Sequence, residues 1–72
     1  MHMHEGHDND IQTLKILLAH WIEHNKSHEE SFRKWAEKAK ALGKRECAEY
    51  IEKAADLLLK AGDALFEAKK LI

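Results

Sequence analysis

The sequence predicts an all-α protein, an antiparallel two-helix hairpin that dimerises into a four-helix bundle. Three observations lead there. The 72 residues contain no proline, and alanine, leucine, glutamate and lysine, all good helix formers, dominate them. Apolar residues recur in steps of three and four along two long stretches. Between the stretches stands Gly43, a residue suited to a helix end because it tolerates positive φ.

The first stretch runs Ile11, Leu14, Leu18, Trp21, Asn25, His28, Phe32, Trp35, Ala39, Leu42, and the second Cys47, Ile51, Ala54, Leu58, Ala61, Leu65, Ala68, Ile72. Leu17, Ile22 and Ala36 widen the first stripe; Tyr50, Leu57, Ala64 and Leu71 widen the second. Such sustained heptads mark helices that pack along one another. The helices are expected at about 10–42 and 44–72, roughly 50 and 43 Å long at 1.5 Å per residue. Asp8 or Asp10 is expected to cap the first. Matched lengths and a short turn bring the second helix back antiparallel, with Phe32 near Ala54, Trp21 near Leu65 and Asn25 near Ala61. Large side chains then meet small ones.

Two places dispute the simple hairpin. Ser27-His28-Glu29-Glu30 reads as a capping box, Ser27 at N-cap and Glu30 at N3. A break near residues 25–27 gives the alternative, a three-helix bundle. Gly62 costs about 1 kcal/mol inside a helix. The heptad phase passes both places unshifted, which favours two continuous helices. Both apolar stripes are wider than a two-helix seam covers, and large exposed apolar patches mark association sites. Dimerisation into a four-helix bundle covers them.

Composition sets bounds on function. A 72-residue chain buries a thin core and usually gains from disulfides, metal or self-association. The single cysteine, Cys47, excludes an internal disulfide and suits a reducing compartment. The expected location is the cytoplasm. No apolar run is long enough to span a bilayer, and the N-terminus MHMHEGHDND lacks the pattern of a signal peptide. Twelve Lys/Arg balance thirteen Asp/Glu, a formal net charge of −1. The charges alternate: Glu29/Arg33, Glu30/Lys34, Glu49/Lys53 and Asp56/Lys60 are each spaced as helix neighbours, acid first. A nucleic-acid face needs an excess of positive charge on one side, so neither nucleic acid nor membrane is expected as a partner.

The histidines are the unusual feature. His24 and His28 stand one helical turn apart, a spacing by which a helix offers two nitrogens to one ion. At 100° per residue, Asn25 and His28 fall within the apolar arc, His24 on its border, and His20 well away from it. In a two-fold dimer the pair is duplicated, and near the axis four nitrogens converge. Neutral imidazole suits zinc, nickel, cobalt or copper. The competing reading is that Asn25 and His28 only set register and oligomeric state, or hydrogen-bond each other and bind nothing. Gly62, opposite Asn25, either leaves room for that polar cluster or is simply tolerated.

Residues 1–8 are expected to form a flexible tail ahead of a helical domain at 9–72. His2, His4 and His7 there, with Glu5 and Asp8, crowd possible ligands into a short tract of the kind read as metal-binding, and Met1 and Met3 add softer donors. An expression tag is the other explanation, though a tag is normally an unbroken histidine run. Cys47, on the inner stripe, is expected as a buried structural thiol. Trp21, Trp35 and Tyr50 are expected in the core, since a stacking platform for nucleotides needs aromatics exposed beside basic residues.

The segment LLAHWIEHNKSHEESFRKWAEKAKALGKRECAEYIEKA resembles a group of small uncharacterised prokaryotic helical proteins. They share an apolar run, a Glu-His-Asn-x-x-His core, an Ala/Leu repeat, a Gly turn and a second Ala-rich helix. The likeness covers most of residues 14–72, and Glu23-His24-Asn25 with His28 is its most specific part. Long histidine-rich N-terminal extensions in that group imply handling of nickel, cobalt or zinc; the extension here, MHMHEGH, is short. Ferritin-like proteins offer a second comparison, which fails. Their di-iron sites need inward Glu-x-x-His motifs, and this chain has Asn25-x-x-His28 instead.

The expected function is therefore binding of a divalent transition metal, nickel or zinc first, by His2, His4, His7, His24 and His28, to sequester or deliver it. The rival is a structural or interaction module without metal, either a homo-oligomeric bundle or a small subunit of a larger enzyme complex. Catalysis is not expected, for the sequence offers no nucleophile–base pair, phosphate loop or paired inward carboxylates.

Overall fold

A single turn reverses the chain. Helix α1 spans His2–Ala41 and helix α2 spans Arg45–Lys70 in a computed structural model that describes the backbone of residues 2–72 and the side chains of residues 9–72. The reversal is a Schellman motif. Gly43 takes φ +78°, its N–H donates to the Lys40 carbonyl at 2.9 Å, and the Lys44 N–H donates to the Ala39 carbonyl at 2.9 Å. Carbonyls that the end of α1 would leave unpaired are thereby satisfied, and only glycine adopts that φ without strain. Lys38 and Lys40 in the last turn of α1 and Glu46 in the first turn of α2 place charge favourably against the helix dipoles.

The antiparallel hairpin expected from the heptads is what forms. α1 runs unbroken through Asn25–Glu30, so the capping-box reading of Ser27 and the three-helix alternative do not hold. Six consecutive residues of good or fair propensity, in an unshifted heptad, give the backbone no reason to break there. Asp8 and Asp10 lie within α1 rather than at its N-cap, because the helix begins at His2. The expectation of a flexible tail carrying His2, His4 and His7 falls on side chains outside those described.

Contact between the helices is made by small side chains. Ala36, Ala48 and Ala55 are wholly buried, and Leu18 and Ala39 nearly so; Ile51 packs on the cluster of Ala36, Ala39 and Ala48. Alanines let two backbones come close, with large neighbours filling the sides. Leu18, Ala39 and Ile51 lie inside as expected, but the seam turns toward one flank of the expected stripe. Ile22, Glu29 and Ala36 face inward at least in part where Trp21, His28 and Trp35 were expected. Trp21 is 40% exposed, Trp35 55% and Tyr50 71%, since an indole or phenol ring does not fit where alanines set the spacing. Cys47 is exposed as well, because Ala48 takes the inward position at the start of α2.

One edge of the seam is closed by charge. Arg33 donates to Asp56 at 3.0 Å and Lys40 to Glu52 at 3.0 Å, each crossing from α1 to α2. Glu29 supports Arg33 from the preceding turn at 2.9 Å, as the sequence spacing anticipates, and Glu37 supports Lys40 at 3.2 Å. Hydrogen bonds from Glu29 first, then Asp56, raise the Arg33 pKa; those from Glu52 first, then Glu37, raise that of Lys40. Exposed pairs contribute little stability each, but they fix register along this edge. Among the described residues, no helix is long and apolar enough to cross a membrane.

Candidate metal centre

The opposite edge of α1 carries the histidines. His20, His24, His28 and Phe32 follow at four-residue steps, so each ring lies over the turn below. The His20 and His24 rings stack, 5.6 Å apart and 13° from parallel. His24 and His28 meet edge-on with centroids 4.4 Å apart, and Phe32 closes the row 6.0 Å beyond His28. His20 is exposed, as expected from its place away from the apolar arc, and it belongs to the same row as His24 and His28. The four-residue spacing carries that signal, because successive steps drift by only 40° on a helix of 3.6 residues per turn.

The Nε2 atoms of His24 and His28 lie 3.2 Å apart. With neutral rings, one Nε2–H donates to the bare Nε2 of the other, which requires opposite tautomers at the two rings. The same separation fits shared coordination. Two nitrogens each about 2.05 Å from a zinc ion and 3.2 Å apart subtend about 103°, close to the tetrahedral angle. Both rings are exposed rather than turned into the seam as expected, since Glu29 occupies the inward position beside Asn25.

Asn25 does not join the histidines. It lines a hollow of about 210 Å³ on the other side of the seam with Ile22, Leu58, Gly62 and Phe66. A Cβ on Gly62 would meet nothing within 4 Å, so the glycine opposite Asn25 leaves open space, which Lys26, Glu29 and Asp63 also line. Among the described residues, no group of three or more His, Cys, Asp or Glu converges on a point. One chain therefore offers two nitrogens on α1, and His2, His4 and His7 have side chains outside those described.

The chain belongs to the DUF8180 family, described as a domain of unknown function, whose model matches residues 14–72. The match takes in α1 from Leu14 onward, the turn, α2 and the histidine row, and leaves out residues 1–13. Neither a curated protein nor a solved structure matches the chain.

Proposed function

We propose that this protein is a small cytoplasmic metal-binding helical module that holds a divalent transition metal, nickel or zinc first and cobalt or copper next, to sequester or deliver it. The observation that supports this reading is the 3.2 Å separation of the His24 and His28 Nε2 atoms on one face of α1. Imidazole nitrogens suit these borderline cations over magnesium or calcium. Two ligands from one chain leave further coordination positions for other donors. His2, His4 and His7 in the leader act as additional ligands in this reading. The protein works as a homodimeric four-helix bundle and performs no catalysis.

The test is calorimetric titration of the metal-free protein with Ni²⁺ and Zn²⁺, alongside full-length His24→Ala/His28→Ala and His2→Ala/His4→Ala/His7→Ala variants. Binding that survives the leader substitutions and is lost with His24 and His28 supports the reading. Binding lost only with the leader histidines removes the helical pair from it. No heat from the unaltered chain overturns it.

One observation favours the rival reading, a helical interaction module without metal. Trp21 and Trp35 expose 40% and 55% of their surface on the edge that carries the histidines, as an association face does. In that reading Asn25 and His28 only set register, and neither cation raises the melting temperature.

A further inference from the structure

α1 carries a second heptad row beside the one that faces α2. Leu17, Trp21, His24, His28, Ser31 and Trp35 follow in steps of four and three, all but one of them apolar or imidazole. The row is symmetric about residue 26: His24 and His28 lie two residues to either side, Trp21 and Ser31 five, Leu17 and Trp35 nine. The outward face of α2 repeats the pattern about Ala61, with Leu57 and Leu65 four residues to either side and Ala54 and Ala68 seven. The two centres are level in the hairpin, because their neighbours Asn25 and Gly62 line one hollow.

Resting on the metal-binding reading above, we infer that a second copy of this chain covers the face, antiparallel about a two-fold axis that crosses between the copies at the level of residue 26 and Ala61, and completes the coordination of one shared metal with its own His24 and His28. A row that reads alike from both ends about its centre is what a two-fold contact uses, for each residue then meets its mirror position on the copy. Large meets small where Trp21 faces Ser31, and His24 faces the second copy's His28. Four imidazole nitrogens then surround one ion, where a single chain presents two.

Charge and area point to the same occupant. Arg33–Asp56 and Lys40–Glu52 hold the opposite edge, where covering them would cost desolvation. The symmetric rows carry no formal charge when the imidazoles are neutral, so they match their own copy better than an acidic or basic partner. From Leu14 to Leu42, α1 runs about 42 Å, and two helices are about 20 Å wide. That face of roughly 800 Å² equals the area each partner buries in a standard stable interface, about 800 Å². Because the cation needs both copies, metal binding and dimerisation strengthen each other reciprocally.

The test uses the full-length chain with His2, His4 and His7 changed to alanine, so that only the helix histidines report. Zinc titration followed by calorimetry and sedimentation is expected to end at one ion per two chains, with dimer dissociation weakened at least tenfold by zinc. One zinc per chain on a monomer overturns the shared site and leaves the His24/His28 reading standing. No zinc binding overturns both. In a Cys47→Ser background, Ala61→Cys is expected to cross-link to its own copy under mild oxidation, whereas Asp63→Cys on the other face is not. Cross-linking at Asp63→Cys alone overturns the proposed contact face.

Discussion

His24 and His28 approach each other through their Nε2 atoms at 3.2 Å, on an exposed edge of α1 that the hairpin does not use for its own closure. A neutral pair shares one hydrogen there, and in the proposed function a cation would replace that hydrogen bond with both rings as ligands. Protons and metal compete for the same nitrogens. Acidifying the solution is therefore expected to release the metal, with protons taken up as the ion leaves, and titrating zinc binding against pH checks it. Replacing His28 with alanine leaves one nitrogen and is expected to weaken zinc binding by at least tenfold, about 1.4 kcal/mol.

The turn makes a sharper structural prediction. Gly43 at φ +78° sits where an L side chain is strained. Gly43→Ala is expected to destabilise the hairpin by about 1–2 kcal/mol, read as a lower urea midpoint with an unchanged slope. A substitution without effect would mean that the Schellman turn is not what ends α1.

Gly62 predicts the opposite sign. It lies within α2, and a Cβ there meets nothing within 4 Å. Gly62→Ala is expected to stabilise the protein by about 1 kcal/mol, through helix propensity and a less flexible unfolded chain. A loss of stability would show that the hollow beside Asn25 must stay open.

The alanine seam tolerates no enlargement. Ala48→Leu or Ala55→Leu, each at a wholly buried position, is expected to cost about 1–3 kcal/mol by forcing the helices apart. The measurement is chemical denaturation, with circular dichroism to confirm that helix content is kept.

Lys40 gives the fold a slight alkaline dependence. Its hydrogen bonds to Glu52 and Glu37 raise its pKa above the ordinary 10.5. A raised lysine contributes stability that is whole below the unfolded-state value and is lost as pH climbs through the folded-state value. Melting temperature is thus expected to fall slightly through that alkaline window, and the Lys40→Ala variant to lose this step. The effect is small and salt-sensitive, because the ammonium is exposed.

The fold was legible in the sequence because its signals are local and repeated. Two heptad stretches, the absence of proline and one glycine between them leave few arrangements other than a hairpin, and the Phe32–Ala54 proximity followed from the turn position; both residues line one surface hollow. The Glu29–Arg33 pair was equally readable from helix spacing, but spacing alone was not enough: Asp56, expected to pair with Lys60, pairs across the seam with Arg33 instead. Which flank of each wide stripe faces inward was not readable. Trp21, Trp35 and Cys47 were expected inside by hydropathy, yet the close approach of Ala36 to the α2 alanines leaves no volume for rings there.

The sequence by itself determined that His24 and His28 stand a turn apart on one helix face, since that follows from 3.6 residues per turn wherever the helix lies. Only the tertiary structure decided that this face remains open, by committing Leu18, Ala36 and Ala39 to α2 and binding the far edge through Arg33 and Lys40. The division has a physical cause. Periodicity is a property of one helix, whereas the choice between two adjacent apolar rows depends on how close a second helix comes. That distance is set by the smallest side chains, not the most hydrophobic ones.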